Sequence, residues 1–541
     1  MNTLTRNLAT FAAVLWLGAC ATTPQPAPAP EPVPAPAQAP APAPQAQAPA
    51  PAAPLPPVPA VALKQPAPME LLVLANPENP IVSFRLVFHS GSVDDPQGKE
   101  GLTALTASLL TEGGTRKLSS AQLLEVLFPM AAELDVFPDK EFTTFSGRVH
   151  KDFLPRFLEV FTDVLLEPRY DPNEFERLRT DALNTIVNRL RNENDEKLGQ
   201  VALDALLFSG HPYEHFVGGT VQGLKAITLD DVKTHARRVF TQDRIVIGLA
   251  GPVDDALKKA VTSRLSALPP TGAPRVELPP VPVRPGRAVV IQKPTLSTAI
   301  SMGYVTPLRR GDPDFFPVAF ALSYLGEHRQ FHGVLFNELR ELRGLNYGDY
   351  AYAEHFIEQP GTTYNRTNIA RTQQDISLWI RPVVPANAVF ATHGAVYYLN
   401  RLVQKGIPRD QFELVRGFLL NYTRLWEQTD QRRLGYAIDS LFYGTPGFLE
   451  QYRKALGEMT PESVQEAVRR RLRPEALSFT FVTQDAPALV NSLKAPAVEP
   501  LKYASPKPPA LLEADKAIVQ QPLSLQPEAI EVISADTFME K

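Results

Sequence analysis

The stretch Gly101-Leu102-Thr103-Ala104-Leu105-Thr106-Ala107-Ser108-Leu109-Leu110-Thr111-Glu112-Gly113-Gly114 decides the fold of the region around it. Its leucines recur at helical spacing, which predicts an amphipathic helix that packs against a sheet. Ala104, Ala107 and Ser108 fall together on an adjacent face of that helix. The two glycines at its end readily adopt a left-handed conformation, so the helix should stop there. We take this helix as the organising element of the first folded domain.

Length and composition exclude several classes of protein. A chain of 541 residues is too long for one ordinary core, and a prior of about 150 residues per domain allows two to four units. The composition is globular, with 44% hydrophobic and 21% charged residues. A formal net charge of -4 carries no polyelectrolyte signal, so nucleic acid is not expected as a partner.

The first residues have the pattern of an export signal. Arg6 precedes an apolar run, residues 8–17, which is too short to span a bilayer as a helix but fits a signal peptide. Leu17-Gly18-Ala19-Cys20 resembles a bacterial lipobox, in which the cysteine is lipidated and becomes the mature first residue. The alternative is an ordinary secretory signal with a chance cysteine. We predict a signal peptide over 1–19 and lipidation at Cys20.

The predicted lipoprotein would face the bacterial periplasm. Ala21, rather than an aspartate, resembles the sorting context of outer-membrane lipoproteins, so the outer membrane is the expected anchor site. Cys20 is the only cysteine, so the exported domains cannot form an intrachain disulfide. Residues 20–68 are nearly all Pro, Ala and Gln, which predicts a disordered, semi-stiff tether of polyproline II character.

The rest of the chain is a duplication. Three segments of the first part recur about 235 residues later, which predicts two homologous domains rather than a solenoid. The matching pairs are Asp171 to Arg177 with Pro408 to Leu414, Leu207 to Pro212 with Leu441 to Pro446, and Ile227 to Val232 with Met459 to Val464. We place the first domain at 69–268, a proline-rich linker at 269–287, the second domain at 288–484 and a C-terminal extension at 485–541.

The coarse order of elements predicts an α+β domain in each copy. The first copy opens with an alternating strand over 81–89, in which Val82, Phe84, Leu86 and Phe88 share one face that should point inward. The organising helix and a strand pair around 141–149 follow. Further helices are expected at 153–166, 173–191, 198–208 and, capped by Thr228, up to Phe240, before a closing strand at 244–250. Strands and helices mixed in this way predict an antiparallel-rich sheet covered by helices.

Three motifs in this order resemble the pitrilysin/insulinase family of zinc peptidases, which includes the mitochondrial processing peptidase subunits. They are Gly91-Ser92-Val93-Asp94-Asp95 before the organising helix, His211-Pro212-Tyr213 before Gly218-Gly219, and Leu339-Arg340-Glu341-Leu342-Arg343-Gly344-Leu345-Asn346-Tyr347 in the second copy. The resemblance covers nearly everything from Glu70 to about Thr483. It implies α/β-roll domains, whose paired halves enclose a large chamber for unfolded peptides.

The resemblance also implies that this chain lacks the family's zinc site. Active members carry H-x-x-E-H on the first-domain helix, where two histidines bind one metal and the glutamate polarises the attacking water. The corresponding positions here are Ala104, Ala107 and Ser108. The family's third ligand is a glutamate on a later helix, and the matching stretch 177–192 holds one carboxylate, Asp181. Ligands and base are missing together, so no metal is expected in this chain, and the small, uncharged face of the helix should leave room for a partner or peptide instead.

Two histidine pairs at helical spacing were weighed as substitutes. His211-Pro212-Tyr213-Glu214-His215 spells H-x-x-E-H, but Pro212 cannot lie inside a helix, so we interpret the match as chance within a turn. His328 and His332 have no glutamate between them, and a surface loop or helix face is the expected setting. The sequence contains no G-x-S-x-G elbow, phosphate loop or cysteine nucleophile in the folded domains.

One functional element of the family has a counterpart in this sequence. Arg340 and Tyr347 match the arginine-tyrosine pair that the second domain contributes to the active site. A guanidinium and a phenol can stabilise the negative charge that develops on the scissile carbonyl oxygen. The alternative is a solvated arginine and a packed tyrosine.

Our leading hypothesis is a catalytically incomplete subunit of a periplasmic metallopeptidase. A partner chain would carry H-x-x-E-H and zinc, and this chain would contribute Arg340, Tyr347 and part of the chamber wall. The alternative is a non-enzymatic peptide-binding or scaffold lipoprotein of the same fold. A self-sufficient zinc enzyme would need His211, Glu214 and His215 to work from an unusual position. The extension at 485–541 resembles tails of bacterial members that pack on another part of the assembly.

Overall fold

The computed structural model describes residues 56–327 and 330–541 of the chain. The predicted signal peptide, Cys20 and the tether up to residue 55 lie outside the described residues. Among the described helices, none is both long and apolar enough to cross a membrane.

The first half contains the predicted strands and helices in the predicted order, together with one strand at its start and three further helices that were not predicted. Its elements are β1 (Glu70–Ala75), β2 (Ile81–Phe88), α1 (Leu102–Glu112), α2 (Ser120–Leu127), β3 (Glu133–Pro138), β4 (Thr143–His150), α3 (Leu154–Leu166), α4 (Pro172–Asn184), α5 (Asp195–Leu207), α6 (Val221–Ala226), α7 (Leu229–Val239), β5 (Ile245–Gly251) and α8 (Asp255–Leu265). A π-helical segment, Thr185–Glu193, continues α4. Thr228 caps α7, as predicted.

The first sheet has the order β1-β5-β2-β4-β3 and is mixed. Strands β1 and β5 are parallel, and all other neighbours are antiparallel. Strand β1 was not predicted, because its run of apolar residues lacks the alternation that marks a strand with one solvent face. The predicted inward face of β2 is correct, since Val82, Phe84, Leu86 and Phe88 join one core. Val87 is buried as well, so β2 is covered on both faces.

The second half repeats this plan. Its elements are β6 (Ala288–Gln292), β7 (Thr298–Thr306), α9 (Phe315–Gly326), β8 (Asp349–Tyr352), β9 (Gln374–Val383), α10 (Ala388–Lys405), α11 (Arg409–Leu425), α12 (Asp430–Tyr443), α13 (Phe448–Glu458), α14 (Pro461–Arg471), β10 (Ser478–Thr483), α15 (Ala486–Lys494), α16 (Pro509–Val519) and β11 (Ile530–Ser534). The second sheet has the order β11-β6-β10-β7-β9-β8. Without β11, this order is that of the first sheet, which agrees with the predicted duplication.

Each half covers one face of its sheet with a helix taken from the other half. Helix α5 packs on β7 and β10 of the second sheet, where the Thr480 hydroxyl donates to the Gly199 carbonyl at 2.8 Å. Helix α12 packs on β5, β1 and β2 of the first sheet, with Leu434 and Ile438 beside Val246. Helices α5 and α12 occupy equivalent positions in the two copies, so the exchange is reciprocal. Each half therefore contributes to the packing of the other.

Helix α1 lies in the first half between the sheet and a layer of helices. Gly101 precedes it at φ 102°, and Gly114 follows it at φ 83°, which confirms the glycine stop. Its leucine stripe does not face the sheet as expected. Leu102, Leu105 and Leu109 pack on α4, α6 and α7. Ala107 and Leu110 instead point into the core under the sheet.

The last part of the predicted tether is ordered against the body, which corrects that prediction for residues 56–68. Val58 exchanges two backbone hydrogen bonds with Val281 of the linker, at 2.8 and 2.9 Å. Leu63 is buried, and the Lys64 amide donates to the Phe442 carbonyl at 2.8 Å. Val58 and Leu63 lie among many prolines and alanines in the sequence, so the composition of this stretch did not indicate that they pack against the body.

The C-terminal extension packs on this chain itself. Strand β11 pairs in parallel with β6 and so covers the outer edge of the second sheet. The chain then reaches the first half, where the Val221 amide donates to the Met539 carbonyl at 2.9 Å. Arg191 donates to the Phe538 carbonyl at 2.8 Å and pairs with Glu540 at 3.0 Å. The extension therefore fastens both halves from outside.

Candidate functional site

The three positions that correspond to the zinc motif lie on α1 and carry no metal ligand. Ala104 and Ser108 are half-buried, whereas Ala107 is fully buried in the core under the sheet. Two alanines and one serine offer no imidazole or carboxylate, so the residues present do not fit a zinc ion. The expected open face is also only partly present, because Ala107 has no room beside it for a partner or peptide.

The Gly91 to Asp95 motif fixes the start of α1. The buried Asp95 carboxylate accepts the amides of Gly101 and Thr103, each at 2.7 Å. Such a carboxylate satisfies amides that the first helical turn leaves free and interacts favourably with the helix dipole. His215 lies 3.3 Å from the same carboxylate, and His235 lies 2.8 Å from the Thr103 hydroxyl. The scaffold around the former metal helix is therefore intact.

The candidate third ligand, Asp181, has a structural partner instead. It is exposed on α4 and accepts from Arg177 at 3.1 Å. Arg177 also pairs with Glu174 at 2.9 Å and with Glu112 at 3.2 Å. Asp181 therefore takes part in a surface ion-pair network that links α4 to the end of α1.

The literal H-x-x-E-H at His211 to His215 forms a turn rather than a helix, in keeping with our interpretation. The buried His211 accepts the Tyr213 amide through Nδ1 at 3.1 Å, and burial lowers the pKa of His211 to about 4. His215 turns toward Asp95, and Glu214 accepts the Gly210 amide at 2.8 Å. The two histidines thus serve different contacts and do not form one site.

The other histidine pair is only partly visible. His328 lies outside the described residues, and His332 is exposed in a turn. Within the described residues, one group of three potential ligands comes together elsewhere, at Asp204, His355 and Asp375. The charges of the nearby Lys197 and Arg371 act on Asp204. This group therefore belongs to a buried charge network between the halves, remote in sequence from α1.

Arg340 and Tyr347 come together in the second half. Arg340 is the penultimate residue of the π-helical segment Phe336–Glu341. Its guanidinium lies 5.3 Å from the centre of the Tyr347 ring and 4.5 Å from that of Phe336. Glu341 accepts from Arg340 at 2.5 Å. Tyr347 is 76% exposed, which is unusual for a large aromatic residue. The pair therefore presents an exposed phenol whose ring lies against a partly exposed guanidinium.

Sequence reasoning missed the residues that hold this pair. Asn346 donates to the buried Asp349 carboxyl at 2.6 Å, directly beside Tyr347. Burial raises the pKa of Asp349 to about 8, although the Asn346 hydrogen bond and the charge of Arg340 act in the opposite direction. The sequence shows an aspartate, Asp349, at the start of β8. The neighbouring residues do not indicate that this strand is buried, so the sequence alone does not single out Asp349.

The C-terminal extension supports the same segment from behind. Arg343 donates through Nε to Asp515 of α16 at 2.8 Å and pairs with Glu338 at 2.9 Å. The Tyr503 hydroxyl donates to Asp515 at 2.6 Å, and Lys507 donates to the Leu342 carbonyl at 2.8 Å. These contacts fix the backbone between Arg340 and Tyr347, whose turn uses Gly344 at φ 68°.

Known families match both halves. Residues 71–219 match the domain described as Insulinase (Peptidase family M16), and residues 226–419 match the domain described as Peptidase M16 inactive domain. The fold agrees with a crystal structure of a peptidase M16 inactive domain from Pseudomonas fluorescens, at a TM-score of 0.67 and 21% identity. That similarity covers 78% of this chain and 98% of the other.

Two curated relatives carry different names. The non-peptidase homolog YmxG of Helicobacter pylori is 22% identical over 410 residues, which are 75% of this chain and 89% of the relative. An uncharacterized zinc protease of Mycobacterium bovis is 25% identical over 415 residues, which are 72% of this chain and 88% of the relative. The matched domains, the shared fold and the replaced residues on α1 lead to one conclusion: the chain belongs to the insulinase (peptidase M16) family, as a catalytically incomplete member.

Proposed function

We propose that this chain is the non-zinc subunit of a two-chain metallopeptidase in the bacterial periplasm. The observation that carries the proposal is the contrast between α1 and the second half. The zinc-motif positions on α1 are Ala104, Ala107 and Ser108, whereas Arg340 and Tyr347 lie together with Tyr347 exposed. A partner that carries H-x-x-E-H and zinc would supply what α1 lacks.

In the assembled enzyme, Arg340 and Tyr347 would donate hydrogen bonds to the scissile carbonyl of an unfolded peptide. These donors would stabilise the oxyanion that develops when the partner's activated water attacks. The buried Asp349 and Asn346 would hold the tyrosine segment in place from beneath. This chain would also form part of the chamber wall around the peptide.

The test begins with co-expression of this chain and a family homologue with an intact H-x-x-E-H motif, encoded beside it. We expect the two to elute together from a size-exclusion column and to cleave an unfolded peptide that neither cleaves alone. Tyr347→Phe should lower kcat by about a hundredfold, as expected for loss of one oxyanion donor. The matched control is Tyr397→Phe on α10, which should leave kcat unchanged.

Two results would contradict the proposal. If no complex forms with the homologue, the pairing is wrong. If the complex forms but Tyr347→Phe cleaves at the normal rate, the role given to Arg340 and Tyr347 is wrong. Zinc measured in the purified chain alone should remain far below one equivalent.

The second candidate function is a non-enzymatic peptide-binding or scaffold lipoprotein. The name of the Helicobacter pylori relative, a non-peptidase homolog, favours it. This function predicts peptide binding without cleavage in any pairing. Both candidates include anchoring through Cys20, so Cys20→Ser should move the protein from the membrane fraction to the soluble periplasmic fraction.

A further inference from the structure

A groove beside β3 contains two arginines that form no ion pair with any described residue. The groove has a volume of about 780 Å³ and lies between the β3–β4 side of the first sheet and the loop that precedes β9. Its lining includes Arg85, Thr144, Arg366, Asp135, Phe137 and Phe128. A volume of this size accommodates a small ligand or a few residues of a peptide. We call it the β3 groove.

Arg85 forms the floor of the β3 groove. It lies on β2 with 7% of its surface exposed, and its Nη1 donates to the Asn368 side-chain oxygen at 2.5 Å. Its Nε has no hydrogen-bond partner. Burial, with a partial offset from Asp439, lowers the pKa of Arg85 to about 10. A buried arginine normally has a carboxylate beside it, because an unpaired charge is costly to bury.

A neutral amide, rather than a carboxylate, lies next to the guanidinium of Arg85. Asn368 holds its neutral amide against the guanidinium and adopts φ 64°, a strained conformation for a non-glycine residue. Asp439 lies behind Asn368, accepts its amide at 3.0 Å and is also bound by Arg310 at 3.3 Å. Arg85 is therefore held in place by a neutral partner, with its Nε left free.

Two further unpartnered donors line the same groove. Thr144 lies on β4 with 4% of its surface exposed, and its hydroxyl has no hydrogen-bond partner. Arg366 stacks on Phe137 at 3.9 Å from the ring centre, and its Nε is also without a partner. Within the described residues, neither Arg85 nor Arg366 has a carboxylate within the 4.0 Å of an ion pair.

The remaining charged residues of the groove do not neutralise the positive charge of Arg85 and Arg366. Asp135 on β3 acts on both arginines electrostatically but lies beyond ion-pair distance. Glu133 is engaged by Arg148 at 3.3 Å. Arg432 adds a further positive charge near Arg85. The groove thus offers several donors and a net positive field to an incoming anion.

Apolar side chains at the rim of the groove indicate the kind of molecule to which the bound anionic group belongs. Phe128 is 86% exposed and Leu124 is 65% exposed, one helical turn apart at the edge of the groove. An exposed aromatic and aliphatic pair beside a polar floor suits a ligand with one charged and one apolar part. An inorganic anion would use only the floor.

We propose that the β3 groove binds a carboxylate borne by a peptide, either its C-terminus or an Asp or Glu side chain. The carboxylate accepts from the guanidinium groups of Arg85 and Arg366, and the neighbouring apolar side chain of the peptide packs on Phe128. This inference goes beyond the pairing proposed above, because the binding site lies wholly within this chain.

The test measures binding of fluorescein-labelled peptides to the purified chain by anisotropy. Three alanine-serine peptides are compared: one ending in leucine with a free carboxylate, its C-terminal amide, and the amide with a glutamate before the leucine. We expect the free acid to bind about tenfold more tightly than the plain amide, since charge-assisted hydrogen bonds are lost with the charge. Equal binding of the glutamate peptide would identify the side chain as a second source.

The variants locate the site. Arg366→Gln and Arg85→Gln should each abolish the preference for a carboxylate. Arg156→Gln, which changes an exposed arginine of α3 that pairs with Glu159 at 2.6 Å and does not line the groove, should keep it. Thermal melting checks that each variant is folded, and the partly exposed Arg366 carries the test if Arg85→Gln does not fold. Cleavage is not measured, so failure here is independent of the proposed partner.

Three outcomes would overturn the inference. The first is equal affinity for all three peptides. The second is a carboxylate preference that survives both Arg366→Gln and Arg85→Gln. The third is binding of inorganic phosphate that depends on these arginines without any preference among the peptides, which would assign the groove to a free oxyanion instead.

Discussion

The two halves share one strand order but differ at the candidate site positions that each contributes. In the first half, Ala107 of α1 is buried in the core, and the former metal face is small and uncharged. In the second half, Tyr347 is exposed beside Arg340, above the buried Asp349. The comparison teaches that packing and chemistry are separable in this fold, because α1 still organises its half without the residues of a zinc site.

The exchanged helices differ in a similar way. Helix α12 approaches the first sheet so closely that a Cβ on Gly248 would lie 2.8 Å from Ile438. On the second sheet the glycine belongs to the helix instead, and a Cβ on Gly199 of α5 would lie 3.3 Å from the Ser301 hydroxyl. The two contacts therefore depend on glycine in different ways, on a glycine of the sheet beneath α12 and on a glycine of the helix in α5.

The largest expected effect concerns the joint between the halves. Arg371 of the second half pairs with Asp139 of the first at 2.8 Å, and both side chains are almost fully buried. Arg371→Met should lower the free energy of unfolding by about 3–5 kcal/mol, because Asp139 is left as an unpaired buried charge. Chemical denaturation measures this loss. The double variant Arg371→Met/Asp139→Leu should recover much of it; a loss below about 1 kcal/mol in the single variant would mean that the halves are not coupled here.

The second prediction tests whether the core leaves any space beside Ala107 of α1. Ala107→Glu places a carboxylate in the core and should cost about 3 kcal/mol or more through overpacking and burial of a charge. Ser108→His at the half-buried neighbouring position is the matched control and should cost less than about 1 kcal/mol. Thermal and chemical unfolding distinguish the two.

The triple variant Ala104→His/Ala107→Glu/Ser108→His extends the same test to activity. We expect no robust zinc-dependent hydrolysis, because the later stretch offers only the ion-paired Asp181 as a carboxylate. Substantial activity in a peptide-cleavage assay would show that the third ligand lies elsewhere.

The third prediction concerns the buried carboxyl in the second half. The raised pKa of Asp349, about 8, means that the folded protein keeps a proton that the unfolded chain loses from about pH 4 upward. This contribution to stability is therefore present at low pH and is lost as the pH rises toward 8. Asp349→Asn should stabilise the protein by about 1–3 kcal/mol at pH 8.5 and much less near pH 5. Parallel pH profiles for the two proteins would contradict this assignment.

The smallest effects compare the exchanged helices directly. Gly248→Ala should lower stability by about 1 kcal/mol, since Ile438 and Leu434 must shift to admit a methyl group. Gly199→Ala should change stability by less than about 1 kcal/mol, because alanine favours the helix while the Ser301 hydroxyl, 3.3 Å from the added Cβ, must shift by a few tenths of an ångström. Equal melting temperatures for the two variants would contradict this difference between the two glycine contacts.

Much of the fold could be predicted from local sequence signals. The glycine stop of α1, the cap at Thr228 and the inward face of β2 depend on a few neighbouring residues, and each was correctly predicted. Strand β1 and the ordered residues 56–68 were not. Their signals depend on partners far along the chain, such as β5 and Val281.

The candidate site shows the same division. The sequence located Arg340 and Tyr347 through a motif, but not Asp349, Asn346 or the support from Asp515. It also placed Ala107 on an accessible face, because helical periodicity specifies which residues share a face but not what covers that face. The β3 groove joins Arg85, Thr144 and Arg366 from distant parts of the chain, and no local pattern marks it.

The sequence by itself determined the duplication, the order of most helices and strands, and the absence of zinc ligands on α1. Residue identity and short-range periodicity are sufficient for these features. Only the tertiary structure decided that α5 and α12 are exchanged between the halves and that the C-terminal extension completes the second sheet. It also decided that Ala107 is buried. These features depend on burial and pairing between residues hundreds of positions apart, where the free energy of packing, rather than local propensity, selects the partner.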